Sequence, residues 1–376
     1  NVNSAVTIDA NWRWVHDKDY RNCYDGKWGS QCQDPATCAA QCVLEGVEEA
    51  DWKSTYGITF PDEKSVQLNL VTGTNIGSRL YLLDSTKNSY YGFNPMNREF
   101  HFTVDSSKLG CGLNGALYFV TMDLTSEDTT AAGPAYGVGY ADAQCPADIK
   151  YINGIPNVSN PPLQICSPEM DLWEANKFSN AFTPHPCATP LKATVCNGLE
   201  CGNGSDRQNG LCDKDGADYN PYRGGNTTFY GPSSTNVIDS TKPIKVITQF
   251  ITKNNADDGD LVKIQRFYQQ GGKTFYGGMM TDTFNDLQKD LFKDPNTFKR
   301  LGGMKQMGVS LRNKMVLVMS IWGDTVTNME WLDSSVPAGS KEPGHVRGVC
   351  PPGKTYQDSI DPKASVTYSD IQLNKI

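Results

Sequence analysis

The chain has 376 residues, enough to bury a large core, and all-β folds of this length form one domain as readily as two. Its net charge is −8 and its isoelectric point is near 5.1, with no basic run, which argues against a nucleic-acid partner. No apolar run approaches the ~20 residues of a membrane span, so no membrane partner is expected.

Twelve cysteines make an even set, scattered rather than grouped as C-x-x-C pairs. That pattern points to disulfides in an oxidising compartment and away from structural zinc. The chain opens on Asn1 with no visible signal peptide, as a processed secreted chain would, so a secreted, extracellular location is expected. Three sequons, at Asn157, Asn203 and Asn226, add a weak signal for glycosylation. The acidity suits a soluble protein working at mildly acid pH.

In chain order, PATCAAQCVLEG (35–46) predicts a short helix. Alternating apolar and polar residues predict strands over 65–72, 98–105, 242–252 and 261–269. Gly271-Gly272 then signals a hairpin. A second helix is predicted over 282–294, and further strands over 314–322 and 364–374. The 35 glycines and 21 prolines imply long, looped connections. With no internal repeat, no Ser/Thr/Pro-rich linker and no small binding module, residues 1–376 read as a single domain. Its expected architecture is two packed antiparallel sheets.

The segment SPEMDLWEAN (167–176) carries the chemistry, with Glu169, Asp171 and Glu174 packed into six positions. On a strand, Glu169 and Asp171 share a face while Met170 and Leu172 point to the core. Strict alternation turns Glu174 to the other face. A one-residue bulge near Leu172–Trp173 would return it, and bulges recur beside active sites. Two glutamates over one sugar ring are the apparatus of glycoside hydrolysis; in the retaining form they lie about 5–5.5 Å apart. One must be ionised to attack the anomeric carbon, and the other must keep its proton for the leaving oxygen. Asp171 between them can orient the nucleophile. The competing reading is a helical turn of solvated acids.

EMDLWEAN followed by TPHPC (183–187) resembles the signature of glycoside hydrolase family 7, the cellobiohydrolases and endoglucanases of fungi and some protists. IDANWRW (8–14), NCYDG (22–26), CGLNGALYFV (111–120), DAQCP (142–146), NPYRGGNTTFYGP (220–232), MVLVMSIW (315–322) and VTYSDIQL (366–373) match in order. The resemblance implies an all-β, concanavalin-like jelly-roll sandwich of two antiparallel sheets, with long loops forming a substrate cleft or partial tunnel. It implies retaining cleavage of β-1,4-glucan, with Glu169 as nucleophile, Glu174 as acid/base and Asp171 assisting. Asn114, Tyr118, Asp142, Gln144 and His185 fall at positions that line the catalytic subsites. Trp14 is implied at the cleft mouth, Trp322 just before the cut and Trp331 just beyond it, as flat platforms for sugar rings. Trp12 is read as structural.

The resemblance also implies the pairs Cys23–Cys42, Cys32–Cys38, Cys111–Cys350, Cys145–Cys166, Cys187–Cys212 and Cys196–Cys201. Ala141 and Ser167 stand together where the family has a further pair. Arg207, Asp215, Asp218, Arg223 and Arg347 match positions that bind departing cellobiose, which favours the cellobiohydrolase type. Other features look more open. The segment before Glu169 is short, Thr325 and Val326 replace a pair of tyrosines, and Val336 replaces another.

The first reading is therefore a cellobiohydrolase-type cellulase with a partly open tunnel, acting as a monomer on cellulose chains and cello-oligosaccharides. An endoglucanase of the same family is the second. A non-catalytic, lectin-like glucan-binding sandwich and a hydrolase of xylan or mixed-linkage glucan are further alternatives. His16, His101, His185 and His345 share no ligand spacing, so no metal and no cofactor are expected.

Overall fold

The structure is a computed structural model that describes residues 5–125, 133–353, 357 and 361–376. Two seven-stranded antiparallel sheets pack face to face, as the alternation predicts. The inner sheet runs in the order Val6–Ile8, Ser78–Leu82, Met315–Gly323, Leu113–Val120, Glu169–Ala175, Asn180–His185, with Gly92–Phe93 added against Met315. The outer sheet runs Lys273–Met280, Leu261–Gln270, Ile244–Thr252, Arg98–Asp105, Ser365–Lys375, Ser65–Asn69, Ile58–Thr59.

The core lies between the sheets. Phe100, Phe102 and Val104 reach it from the outer sheet at a spacing of two, and Phe119, Met170, Leu172 and Trp173 meet them from the inner one. Each buried aromatic of this kind contributes about 1.5–3 kcal/mol. A smaller cluster with Tyr81, Tyr118, Tyr140 and Val318 covers part of the other face of the inner sheet. Gly271 and Gly272, at φ 58° and 75°, close the predicted hairpin between Gln270 and Lys273, where a side chain would be strained.

The helices depart from the predicted pattern. The first spans Pro35–Gln41, capped by Asp34, and stops short of residue 46. Cys42–Leu44 is instead drawn into strand pairing with Val15–Asp17, and Cys42 bonds to Cys23. The second predicted helix spans Asp282–Phe292, two residues short of the expected end, where Lys293 stops it at φ 58°. A further helix that the sequence reading does not predict, Gly303–Arg312, has Met304, Met307 and Leu311 buried at helical spacing, a pattern obscured in the sequence by Gly303 and Gly308. Among the described residues no helix is long and apolar enough to cross a membrane.

All six implied disulfides are present and no described cysteine is free. The sequons divide. Asn203 and Asn226 are exposed. Asn157 is buried, its amide donating to the carbonyls of Ile149 at 3.2 Å and Leu163 at 3.0 Å. A glycan on that nitrogen is incompatible with this packing.

Candidate active site

The bulge forms where the chemistry needs it. Leu117 pairs with Trp173 and Tyr118 with Asp171, so Leu172 is the extra residue. The opposite neighbour shows the same slip, with Thr183 against Asp171 and Ala181 against Glu174. Leu172 and Trp173 therefore both enter the core, and Glu174 returns to the face of Glu169 and Asp171. Arg266, fully buried on the outer sheet, donates to the Leu172 carbonyl and, at 3.1 Å, to the Thr248 hydroxyl. A guanidinium from one sheet thus satisfies the carbonyl at the bulge in the other.

All three carboxylates line a cavity of about 770 Å³ on the face of the inner sheet. Glu169 accepts the Ala143 amide at 3.0 Å, and Glu174 accepts the Asn114 amide at 3.1 Å. Burial pushes both glutamates well above the usual carboxylate range, and the Asp171 charge adds to it. Asp171 is paired with His185 Nε2 at 2.9 Å. Burial opposes charge on His185, but Asp171, helped by Asp213, outweighs it and pushes the imidazole up to about 9.

Glu169, Asp171 and His185 bring ligand atoms within 4.8 Å of one another, close enough to hold a metal ion. His185 Nδ1 donates to the Asp213 carbonyl at 2.6 Å while Nε2 faces Asp171. With a carbonyl and a carboxylate as acceptors, His185 is held as the imidazolium partner of Asp171.

The structure gathers most of the sequence-predicted residues. Tyr118, Asp142, Gln144, His185, Arg207, Asp215, Asp218, Arg223, Trp322, Trp331 and Arg347 all line the cavity. Tyr140 donates to Asp142 at 2.7 Å, and Gln144 donates to the Lys214 carbonyl at 2.8 Å. Trp322 and Trp331 stack with centroids 6.3 Å apart and planes 24° apart. Asn114, expected to line the subsites, is instead fully buried behind Glu174, to which it donates, and is not part of the cavity wall.

Trp14, implied at the cleft mouth, follows Trp12 by two residues. It is not part of the cavity wall but half-exposed, in an aromatic group with His16 and Tyr20. Trp12, read as structural, lines the cavity instead, with the Arg79 guanidinium 5.5 Å from its ring. The chain turns through a short 3-10 segment at Ala10–Trp12, so strand alternation does not apply to these two rings.

At one end of the cavity the acids are paired. Arg223 donates to both Asp218 and Asp294, and its Nε donates to the Gly344 carbonyl at 2.8 Å. Arg347 lies 3.5 Å from Asp218, and Lys289 lies 4.0 Å from it. Arg207 holds Asp215 at 2.6 Å. Burial would raise Asp218, but Arg223, Arg347 and Lys289 overcome it and hold the carboxyl well below its usual range. Lys289, Asp294 and Arg79 were missed in the sequence. Lys289 sits in an apparently solvated helical pattern, and Asp294 meets Arg223 across 71 residues, a distance no local pattern reports.

Comparison with known proteins agrees with this geometry. The model for glycosyl hydrolase family 7 matches residues 1–376. A family 7 cellobiohydrolase from Daphnia pulex superposes with TM-score 0.95 at 43% identity, over 99% of this chain and 93% of that one. A cellobiohydrolase from Melanocarpus albomyces, solved with cellotetraose, gives 0.90 at 36%, over 100% and 92%. An endocellulase from Humicola insolens gives 0.85 at 32%, over 99% and 92%. With the whole sequence matched and the carboxylate strand in place, this chain belongs to glycosyl hydrolase family 7.

Proposed function

We propose that this protein is a secreted, monomeric cellulase that cleaves β-1,4-glucosidic bonds with retention and releases cellobiose from chain ends. The observation that carries the reading is the bulge at Leu172, which sets Glu169, Asp171 and Glu174 together in a buried cleft. Glu169 attacks the anomeric carbon. The electrons of the glycosidic bond pass to the leaving oxygen, which takes the Glu174 proton, and a glycosyl ester remains on Glu169. Water then gives a proton to Glu174 and attacks the same carbon, freeing the carboxylate. The Ala143 amide holds one Glu169 oxygen, leaving the other for attack. Asp171, anchored by His185, keeps negative charge between the two glutamates and so raises the proton affinity of Glu174.

The end-acting assignment rests on the paired acids and cations at Asp215, Asp218, Arg207, Arg223 and Arg347. Their spare donors and acceptors suit the hydroxyls of a departing disaccharide. An endoglucanase is the second reading. Val326, where with Thr325 the resemblance implies a tyrosine pair at a loop contact, is 87% exposed, and Val336 lines the cavity in place of a further tyrosine; both smaller side chains favour a more open cleft.

Incubation with microcrystalline cellulose decides between them. Soluble sugars are separated by chromatography while new reducing ends on the solid are counted. Cellobiose with few insoluble ends supports end-acting release. A spread of oligomers with many insoluble ends makes the enzyme an endoglucanase.

A further inference from the structure

The two stacked tryptophans of the cavity stand on unequal supports. Trp322 projects from the nine-residue strand Met315–Gly323, paired on both sides. Trp331 stands on a helix of only four residues, Glu330–Asp333, reached through the loop 324–329. A ring on so short an element owes its orientation to side-chain contacts rather than to regular pairing. The helix backbone is fastened at its far end, where Asp333 accepts the Gly112 amide at 2.9 Å and the Asn176 side-chain amide at 2.6 Å. Ala181, Met329 and Leu332 pack against the indole. These contacts leave the indole N–H to find its own partner.

That partner is Asp324, a buried carboxylate at the start of the loop. Its Oδ2 accepts Trp331 Nε1 at 3.3 Å, the Met329 amide at 3.3 Å and the Thr327 hydroxyl. Its Oδ1 accepts the amides of Val326 at 2.8 Å and Thr327 at 2.9 Å. All of these partners are donors, so the group that satisfies them is an ionised carboxylate, with acceptors alone on both oxygens. Burial would raise this carboxyl, but the Thr327 hydroxyl and the loop amides hold it below its usual range. An asparagine here would have to turn its NH₂ towards one set of donors. With its oxygen kept on the two turn amides, the NH₂ meets Thr327, Met329 and Trp331. The Thr327 hydroxyl can rotate to accept; the indole N–H cannot.

We propose that Asp324 is a positioning residue for hydrolysis, which fixes the Trp331 indole against the sugar on the leaving-group side of the cut. Its effect on turnover runs through that one ring, while its bonds to the loop amides serve stability. A ring able to rock loses freedom when a sugar stacks on it, whereas an anchored ring is already in place, and the difference appears as weaker use of the stacked sugar. The effect is therefore confined to substrates that carry a sugar on that side. This inference rests on the cellulase reading and on Trp331 lying just beyond the cut.

The test compares wild type, Asp324→Asn, Trp331→Phe and the double variant. Trp331→Phe keeps an aromatic face but deletes the N–H that Asp324 accepts. For each, kcat and KM are measured on cellotetraose and on cellobiosyl fluoride, whose leaving group offers no ring to Trp331, together with the thermal midpoint. Each single variant is expected to lower kcat/KM on cellotetraose by about three- to tenfold. Turnover of the fluoride should hold, and the double variant should be no worse on cellotetraose than Trp331→Phe alone. Asp324→Asn should lower the thermal midpoint in both backgrounds, because the loop bonds are lost whichever ring is present. Losses that add in the double variant overturn the proposal, as do equal losses on the two substrates. Cellotetraose kinetics unchanged in Trp331→Phe overturn it too, whether or not Asp324→Asn folds. A wild-type protein that hydrolyses neither substrate overturns the cellulase reading itself.

Discussion

At the catalytic end of the cleft, Glu169 is 7% exposed beside Asp171, and at the arginine end Asp218 is 9% exposed among Arg223, Arg347 and Lys289. Burial is nearly equal, yet Glu169 and Glu174 are driven above the usual carboxylate range while Asp218 is held below it. Desolvation favours the neutral acid at both ends, and the neighbours decide the sign. One end is an acid–base machine because its carboxylates face another carboxylate. The other is a fixed hydrogen-bonding surface because its carboxylates face cations. Pairing there stores stability, whereas crowding at the catalytic end sacrifices stability for function.

The largest expected effect comes from emptying the catalytic end of its nucleophile. Glu169→Gln should lower kcat by ~10⁴-fold or more while cellulose binding persists. Substantial remaining turnover would move the nucleophile elsewhere. Removing the main cation at the opposite end should act on folding instead. Arg223→Met leaves Asp218 and Asp294 without their shared partner and should cost about 3–5 kcal/mol in denaturant unfolding, towards the lower figure because Arg347 and Lys289 remain. A neutral result would mean that the arginine end is not an integrated network.

Glu174→Gln should lower kcat by about 10²–10⁴-fold on substrates with poor leaving groups, and much less on activated aryl glycosides. The wild-type rate should fall as pH rises through the elevated Glu174 value, because only the protonated form donates. It should fall on the acid side as Glu169 loses its charge. A wild-type profile with no alkaline fall would contradict the acid assignment.

The smallest effect is on stability against pH. His185 is raised in the fold to about 9, so folding takes up protons between its ordinary value and 9. The stabilisation is full below the ordinary imidazole range and is lost as pH rises through about 9, on the order of 3 kcal/mol. Asp218 works in the reverse sense. Its contribution is present above the ordinary carboxylate range and is lost only as pH falls well below it. Unfolding curves of wild type and His185→Ala should therefore diverge below neutrality and converge towards alkaline pH.

The sandwich was legible because strands with one face in the core announce themselves by alternation, as in REFHFTVD. The bulge was legible because three carboxylates needed one face and strict alternation denied it to Glu174. Trp12 reaches the cavity wall, although it was read as structural, because the segment leaves strand geometry at Ala10, where a period of two fails. Asn157 carries a sequon, yet the tertiary fold uses its amide internally. Lys289, Asp294 and Arg79 were invisible because their roles come from partners distant in sequence, which a single chain read locally does not bring together.

The most direct test of the two-carboxylate account is the anomeric form of the first product, followed by NMR during the first minutes of cello-oligosaccharide hydrolysis. Double displacement through Glu169 predicts that the β-anomer appears first and then mutarotates. Initial formation of the α-anomer would mean a single displacement by water, and would contradict the assignment of Glu169 as the group that bonds to the sugar.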